Sequence, residues 1–241
     1  MRLLQVTDCH LASDPDADYR GQSAQRNLER LTAAVEAFGP DRLVLTGDLS
    51  EDASPASYER IVDWASRFGC PVAWLPGNHD DRSRMESPFD AAGWDAGPVV
   101  EAGAWQLVLL DSAWVDEPAG RLTQERLEPM ARLDATRPAG VFVHHQPVPV
   151  GAAWIDKVPL LDPDGFWQAV ETAGSVRFVA FGHVHQRFRG RHRGIECLAA
   201  PSSAANSLPG MPRFTPGEAA PMARWFVLED RERWSSGLIA A

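Results

Sequence analysis

Six short apolar runs punctuate the chain: Leu3 to Val6, Leu43 to Leu45, Val72 to Leu75, Leu107 to Leu110, Val141 to Val143 and Phe178 to Phe181. Each is four or so residues long, the length of a strand. Between them, Leu28, Leu31, Val35 and Phe38 recur at a helical interval, as do Tyr58, Ile61, Val62, Ala65 and Phe68. Ser54 is placed to cap the second of these helices, Pro55 suits its first position, and Gly39 and Gly69 stand where the two helices should stop. Further helices are predicted over Thr123 to Ala135 and Pro163 to Ala173. Alternating strands and helices predict an α/β fold with helices on the sheet faces. The end of the chain differs: Ile195 to Leu198, Trp225 to Leu228 and Gly237 to Ala240 read as strands without helices between them, interrupted by a Pro-rich loop from Pro201 to Pro221.

No linker-like stretch divides the 241 residues, so a single domain over residues 1–241 is expected. The chain is 44% hydrophobic and 23% charged, which excludes a disordered class. No apolar run approaches a membrane span and the first residues lack the apolar core of a signal peptide, so a soluble, cytoplasmic protein without membrane contact is expected. Cys9, Cys70 and Cys197 are widely spaced and predict free thiols in a reducing compartment. A net charge of -10 argues against binding nucleic acid, whose phosphates demand clustered Lys and Arg, although metal ions would let an acidic chain hold a phosphate.

Six of the seven histidines follow these runs directly. The run ends read Asp8-Cys9-His10, Gly47-Asp48, Gly77-Asn78-His79-Asp80, His144-His145-Gln146-Pro147 and Gly182-His183-Val184-His185. Loops beyond the carboxyl ends of strands converge on the ligand crevice of open α/β sheets, so these clusters are expected to meet. Imidazole, carboxylate and amide oxygen without thiolate suit divalent Fe, Mn or Zn. Asp8, His10, Asp48, Asn78, His144, His183 and His185 exceed what one ion needs, and Asp48, alone of its kind in its cluster, is the candidate for sharing between two. Gly47, Gly77 and Gly182 precede ligands where the chain must turn sharply and a side chain would obstruct the site.

Taken in order, Asp-x-His, Gly-Asp, Gly-Asn-His-Asp, His-His-x-Pro and Gly-His-x-His resemble the motifs of the calcineurin-like metallophosphoesterases. The segments QVTDCHL, LTGDLSED, WLPGNHDD, HHQPVPVGAAWIDK and GHVHQ are similar to those of the bacterial class III 3′,5′-cyclic-AMP phosphodiesterases, from Leu3 to the Ala200–Ser203 segment. The resemblance implies a four-layer α/β/β/α sandwich of two mixed sheets with a dinuclear centre at one end. It implies Asp8, His10, Asp48 and His185 around one ion and Asp48, Asn78, His144 and His183 around the other, with His10, Asn78, His79 and His185 contacting substrate. His79 would face the leaving group. Gln146 stands where close relatives often carry a third histidine, Cys9 replaces a more usual Thr, Ser or Leu, and the Asn206 to Pro221 segment matches poorly.

The implied reaction is hydrolysis of 3′,5′-cyclic AMP to 5′-AMP by attack of a hydroxide bridging the two ions, with Asp48 holding both ions and His79 protonating the departing alkoxide. Two divalent ions, two carboxylates and a hydroxide leave a formal charge of about +1, matched to a phosphodiester monoanion. A broader phosphodiesterase or a phosphomonoesterase acting on small esters would use the same centre. A scaffold that had lost catalysis should show eroded ligands, and none of the seven is missing. Around the ligands, His145 reads as a support for a ligand, a substrate contact or a residue pointing into the fold, and Asp80 and Asp81 each as a partner for His79 or a cap of the following helix, with capping at least as favoured for Asp81. Arg82 and Arg84 fit an exposed helix face more than a phosphate contact, Cys9 a small buried apolar residue more than a redox-sensitive spot, and Trp154 either core or a platform for a purine.

Overall fold

The computed structural model describes residues 1–217, 220–230 and 232–241; the Asn206 to Pro221 segment therefore lies partly outside the described residues. The chain begins with β1 (Arg2–Val6), a short hairpin of β2 (Asp18–Tyr19) and β3 (Gln22–Ser23), α1 (Ala24–Phe38), β4 (Arg42–Thr46) and α2 (Pro55–Ser66). It continues through β5 (Val72–Leu75), α3 (Arg82–Ala91), β6 (Val99–Ala102), β7 (Trp105–Leu110), β8 (Gly120–Arg121) and α4 (Gln124–Ala131). There follow β9 (Ala139–Val143), β10 (Leu160–Leu161), α5 (Pro163–Ala173), β11 (Val176–Phe181), β12 (Phe188–His192), β13 (Ile195–Ala199), β14 (Met222–Leu228) and β15 (Trp234–Ala240). Among the described residues no helix is long and apolar enough to cross a membrane.

Two mixed sheets form, one ordered β15-β14-β1-β4-β5 and the other β12-β13-β11-β9-β7-β6. All six apolar runs of the sequence lie in these sheets as mutually parallel neighbours: β1, β4 and β5 in the first, β7, β9 and β11 in the second. Each of these strands is buried on both faces because alternate residues enter different cores. Leu4 and Val6 point to the core under α1, α2 and α3, whereas Leu3, Val44, Phe142, Phe178 and Leu198 meet between the sheets. Val141, Val143, Val179 and Phe181 face the core under α4 and α5, which contribute Met130, Phe166, Trp167 and Val170. The layers are thus helix, sheet, sheet, helix, as the resemblance implied.

The local signals act as the sequence predicts at most ends. Ser54 accepts from Ser57 N at 3.3 Å to start α2, and Gly39 closes α1 with φ 60°. The third helix is a correction: α4 stops at Ala131, short of Ala135. Gln106 on β7 donates to the Asp134 carbonyl at 3.0 Å and accepts from the Asp134 amide at 3.0 Å, claiming for the sheet the backbone groups a longer helix would need. Arg82 and Arg84 are on α3, in ion pairs with Glu86 and Asp81 respectively, consistent with an exposed face. Cys9, Cys70 and Cys197 are all free.

Candidate metal centre

The loops after β1, β4, β5, β9 and β11 all leave the same end of the sandwich, because their strands run parallel within each sheet. Past the strands, pairing continues for a few residues: Asp8 N donates to Gly47 O at 3.0 Å and His10 N to Asp48 O at 3.0 Å. The ligand atoms of Asp8, His10 and His185 fall within 4.8 Å of one another, as do those of Asp8, Asp48 and His144, and those of His144, His145 and His183. His10 Nε2 is 3.2 Å from His185 Nε2. Asp48 Oδ2 is 3.3 Å from His144 Nε2 and 3.7 Å from His10 Nε2, so it stands between the two groups.

Five of these residues carry a positive φ: Asp8 (52°), His10 (45°), Asp48 (49°), His183 (66°) and His185 (48°). A side chain in the left-handed region costs about 1–2 kcal/mol, and surrounding structure must hold it there. The His183 amide is held by both oxygens of Asp8, at 3.1 and 3.0 Å. Ser207 N holds the His185 carbonyl at 2.8 Å. The sharp turns are therefore made largely by the ligands themselves. Gly47 also turns with a positive φ of 87°, as the sequence predicts, whereas Gly77 and Gly182 matter through close approach: a Cβ on Gly77 would lie 2.2 Å from Asp48 Oδ1 and 2.4 Å from its amide, and one on Gly182 would lie 2.1 Å from Thr7 Oγ1.

Each of four imidazoles is anchored through one ring nitrogen, leaving the other for the centre. His144 Nδ1 meets Thr46 O at 2.7 Å, His185 Nδ1 meets Ala205 O at 2.8 Å, His183 Nε2 meets Val158 O at 3.0 Å and His10 Nδ1 meets Glu51 Oε2 at 2.7 Å. A ring that donates its N–H to a carbonyl or carboxylate has its lone pair on the opposite nitrogen, the tautomer that binds a metal. Asn78 Oδ1 is buried without a hydrogen-bond partner. Buried acceptors without donors are costly, and a cation satisfies them. The donor set of carboxylate, imidazole and amide oxygen therefore fits a divalent ion.

Charge follows the same design. Burial alone would raise the Asp8 and Asp48 carboxyls, yet His185 beside Asp8 and His144 beside Asp48 hold both below the usual carboxylate range. Burial works against a charged His144 ring, but Asp48 beside its Nε2 lifts it to about 9, so a cation binding there would displace a proton from Nε2. Burial, then the charge of His144, pushes His183 down to about 3, and burial likewise lowers His10. Two buried anions among mostly neutral imidazoles make a pocket that attracts positive charge.

The neighbouring residues divide. His145 is buried, its Nδ1 hydrogen-bonded to Ser112 Oγ at 2.8 Å and its Nε2 unpartnered; burial holds the ring neutral. Asp80 has a different task from orienting His79 or capping a helix. Its carboxylate accepts from Gly77 N at 2.9 Å and from Leu49 N and Ser50 N at 3.1 and 3.0 Å, tying the β4 and β5 loops together. Asp81 caps α3 through Ser83 N at 2.9 Å. Cys9 is buried apolar filling, its thiol pushed up to about 12 by burial. Gln146, also buried, donates to Ile155 O at 2.9 Å.

Several contributors were not singled out from the sequence. Glu51 reaches both His10 and, at 3.3 Å, His79 Nδ1; its only sequence signal is an acid three residues after Asp48. Tyr19 stacks on His10 with ring centroids 4.1 Å apart. Ser202 Oγ donates to the Asp8 carbonyl at 2.7 Å and thereby fixes the first loop from the far end of the chain.

Comparison with known proteins places this geometry. The calcineurin-like phosphoesterase profile matches residues 1–187. A 3′,5′-cyclic adenosine monophosphate phosphodiesterase of Vibrio vulnificus is 36% identical, over 95% of this chain and 85% of its own length. One of Pseudomonas aeruginosa is 31% identical, over 98% and 88%. In three dimensions a dimetal phosphatase of Danio rerio covers 99% of this chain and 98% of its own with a TM-score of 0.71 at 15% identity. With fold, sequence profile and two long alignments in agreement, the chain belongs to the calcineurin-like phosphoesterase family.

Proposed function

We propose that this chain hydrolyses 3′,5′-cyclic AMP to 5′-AMP at a centre of two divalent ions, drawn from Fe, Mn and Zn. Asp8, His10, Asp48 and His185 would hold one ion; Asp48, Asn78, His144 and His183 would hold the other. The observation that carries the reading is the set of four histidines, each tied at one ring nitrogen, gathered around two buried carboxylates. The long alignments with phosphodiesterases of cyclic AMP supply the substrate.

When bound, such ions make water nucleophilic at neutral pH and neutralise charge on phosphoryl oxygens. The chain supplies the rest. Asp48 is placed to be shared, and its Oδ1 also accepts from the His79 amide at 2.9 Å, which ties the β5 loop to the centre. His79 is half-exposed at the mouth, its ring centroid 5.0 Å from that of His10 and its Nδ1 facing Glu51. That leaves its Nε2 for the substrate side, where it protonates the sugar oxygen as the phosphorus–oxygen bond breaks. An alkoxide is a poor leaving group, so this proton is needed in the transition state.

Purified, Mn-loaded protein assayed on cyclic AMP, cyclic GMP, bis(p-nitrophenyl) phosphate and p-nitrophenyl phosphate tests the reading. The expected result is 5′-AMP as product and kcat/KM for cyclic AMP well above that for the monoester. A preference for p-nitrophenyl phosphate would instead establish the broader phosphomonoesterase.

A further inference from the structure

Beyond His185 the rim of the centre is built from three aromatic rings and one guanidinium. Trp154 and Phe214 lean on the His185 ring, with centroids 6.4 and 6.2 Å away, and meet each other at 5.4 Å. Tyr19 stands behind His10. Arg20 and Gly21 make the two-residue turn between β2 and β3, both with positive φ, 54° and 82°. This turn sets the Arg20 guanidinium carbon 4.2 Å from the Phe214 ring centre, 5.5 Å from Tyr19 and 5.8 Å from Trp154. Its Nε–H donates to Tyr19 Oη at 3.1 Å, and the residue is exposed. A guanidinium fixed by aromatic rings keeps its terminal N–H groups for a ligand, and holding it in place beforehand lowers the entropy lost on binding.

Position decides which part of a ligand Arg20 meets. The phosphate belongs among the buried donors, whereas Arg20 is exposed and stands over the Phe214, Tyr19 and Trp154 rings. What reaches Arg20 is the group carried by the phosphate. Three separate loops, at residues 19–20, 154 and 214, converge there, and none of them supplies a candidate ligand.

We infer that Arg20 is the residue through which this chain recognises the nucleoside of its substrate, donating to ring-nitrogen acceptors on the purine edge while Trp154 and Phe214 present apolar faces to the base. This rests on the cyclic-nucleotide reading above. Purine nitrogens such as N7 accept hydrogen bonds, and a donor-only fork is complementary to them. Stacking between base and aromatic ring is tolerant of geometry and needs no further polar partner.

The test compares Mn-loaded wild type, Arg20→Ala and Arg20→Lys on cyclic AMP and on methyl p-nitrophenyl phosphate, a diester of equal charge without ribose or purine. It adds inhibition by 5′-AMP and by inorganic phosphate. Arg20→Ala should raise KM for cyclic AMP at least about tenfold with a smaller change in kcat, and lower the ratio of the two kcat/KM values by a similar factor. The 5′-AMP inhibition constant should rise while that of phosphate stays within about twofold, and Lys, lacking the planar fork, should not restore either value. Equal losses on both substrates, full rescue by Lys, or an unchanged ratio would overturn the inference, since each assigns Arg20 to charge alone or to nothing. A wild-type protein active on the simple diester but inert on cyclic AMP removes the cyclic-nucleotide reading itself, before any variant is compared.

Discussion

At the scale of single residues, the centre depends as much on what holds the imidazoles as on the imidazoles. His10 is fixed by Glu51, a partly exposed carboxylate which burial pushes up but the His10 hydrogen bond holds below its usual range. Replacing such a partner typically costs about 10- to 100-fold in metal affinity or activity, so Glu51→Ala should weaken Mn binding by that order in a calorimetric titration. An affinity equal to wild type would show that His10 needs no such support. His79→Ala should leave metal content unchanged while turnover falls by about two to four orders of magnitude. Near-normal turnover in the loaded variant would remove His79 from the proton transfer. The candidate ligands were legible in the sequence because they adjoin the apolar runs in chemically distinctive clusters. Ser112 and Ser202 were not, because their partners are distant in sequence: Ser202 meets the Asp8 carbonyl across 194 positions.

Elements position the site by closeness and by caps. On Gly77 a methyl group would collide with the backbone and carboxylate of Asp48, so Gly77→Ala should keep native circular dichroism yet lose Mn affinity. Unaltered affinity would show that the two loops have more room than their spacing indicates. At α3, the Ser83 hydroxyl bond to Asp81 holds that carboxyl below its ordinary range. A depressed pKa gives stability that is present above the unfolded value of about 3.9 and lost as pH falls through the folded one. Asp81→Ala should therefore destabilise by about 1 kcal/mol at pH 7, and the gap to wild type in urea titrations should shrink below about pH 4. A gap constant with pH would contradict the charged cap. The six central strands could be read as strands from continuous apolar runs, though not their parallel order, whereas β6 and β12 are edge strands of mixed polarity with no such run. Helix α4 was overextended because periodicity is local, and Gln106, which ends it, lies in another strand.

For the whole molecule, two sheets facing each other aim five strand ends at one place, where five candidate ligand residues, the buried carboxylates of Asp8 and Asp48 among them, sit in a costly left-handed conformation. A cation bound there would offset the two buried negative charges and stabilise the fold by mass action, about 2.7 kcal/mol at a hundredfold excess over Kd. Chelation should accordingly lower the unfolding temperature, Mn should restore it, and Asp48→Asn should abolish the shift. The four-layer architecture was foreseen through family resemblance; the alternation of apolar runs and helices alone reached only the α/β class. The most direct measurement is 5′-AMP formation from cyclic AMP as chelator-stripped protein is titrated with Mn. The account predicts no product from stripped protein and a rise that levels near about two equivalents per chain, as a two-ion centre requires. Product formed by fully stripped protein, or none from protein carrying its full complement of Mn, would contradict it.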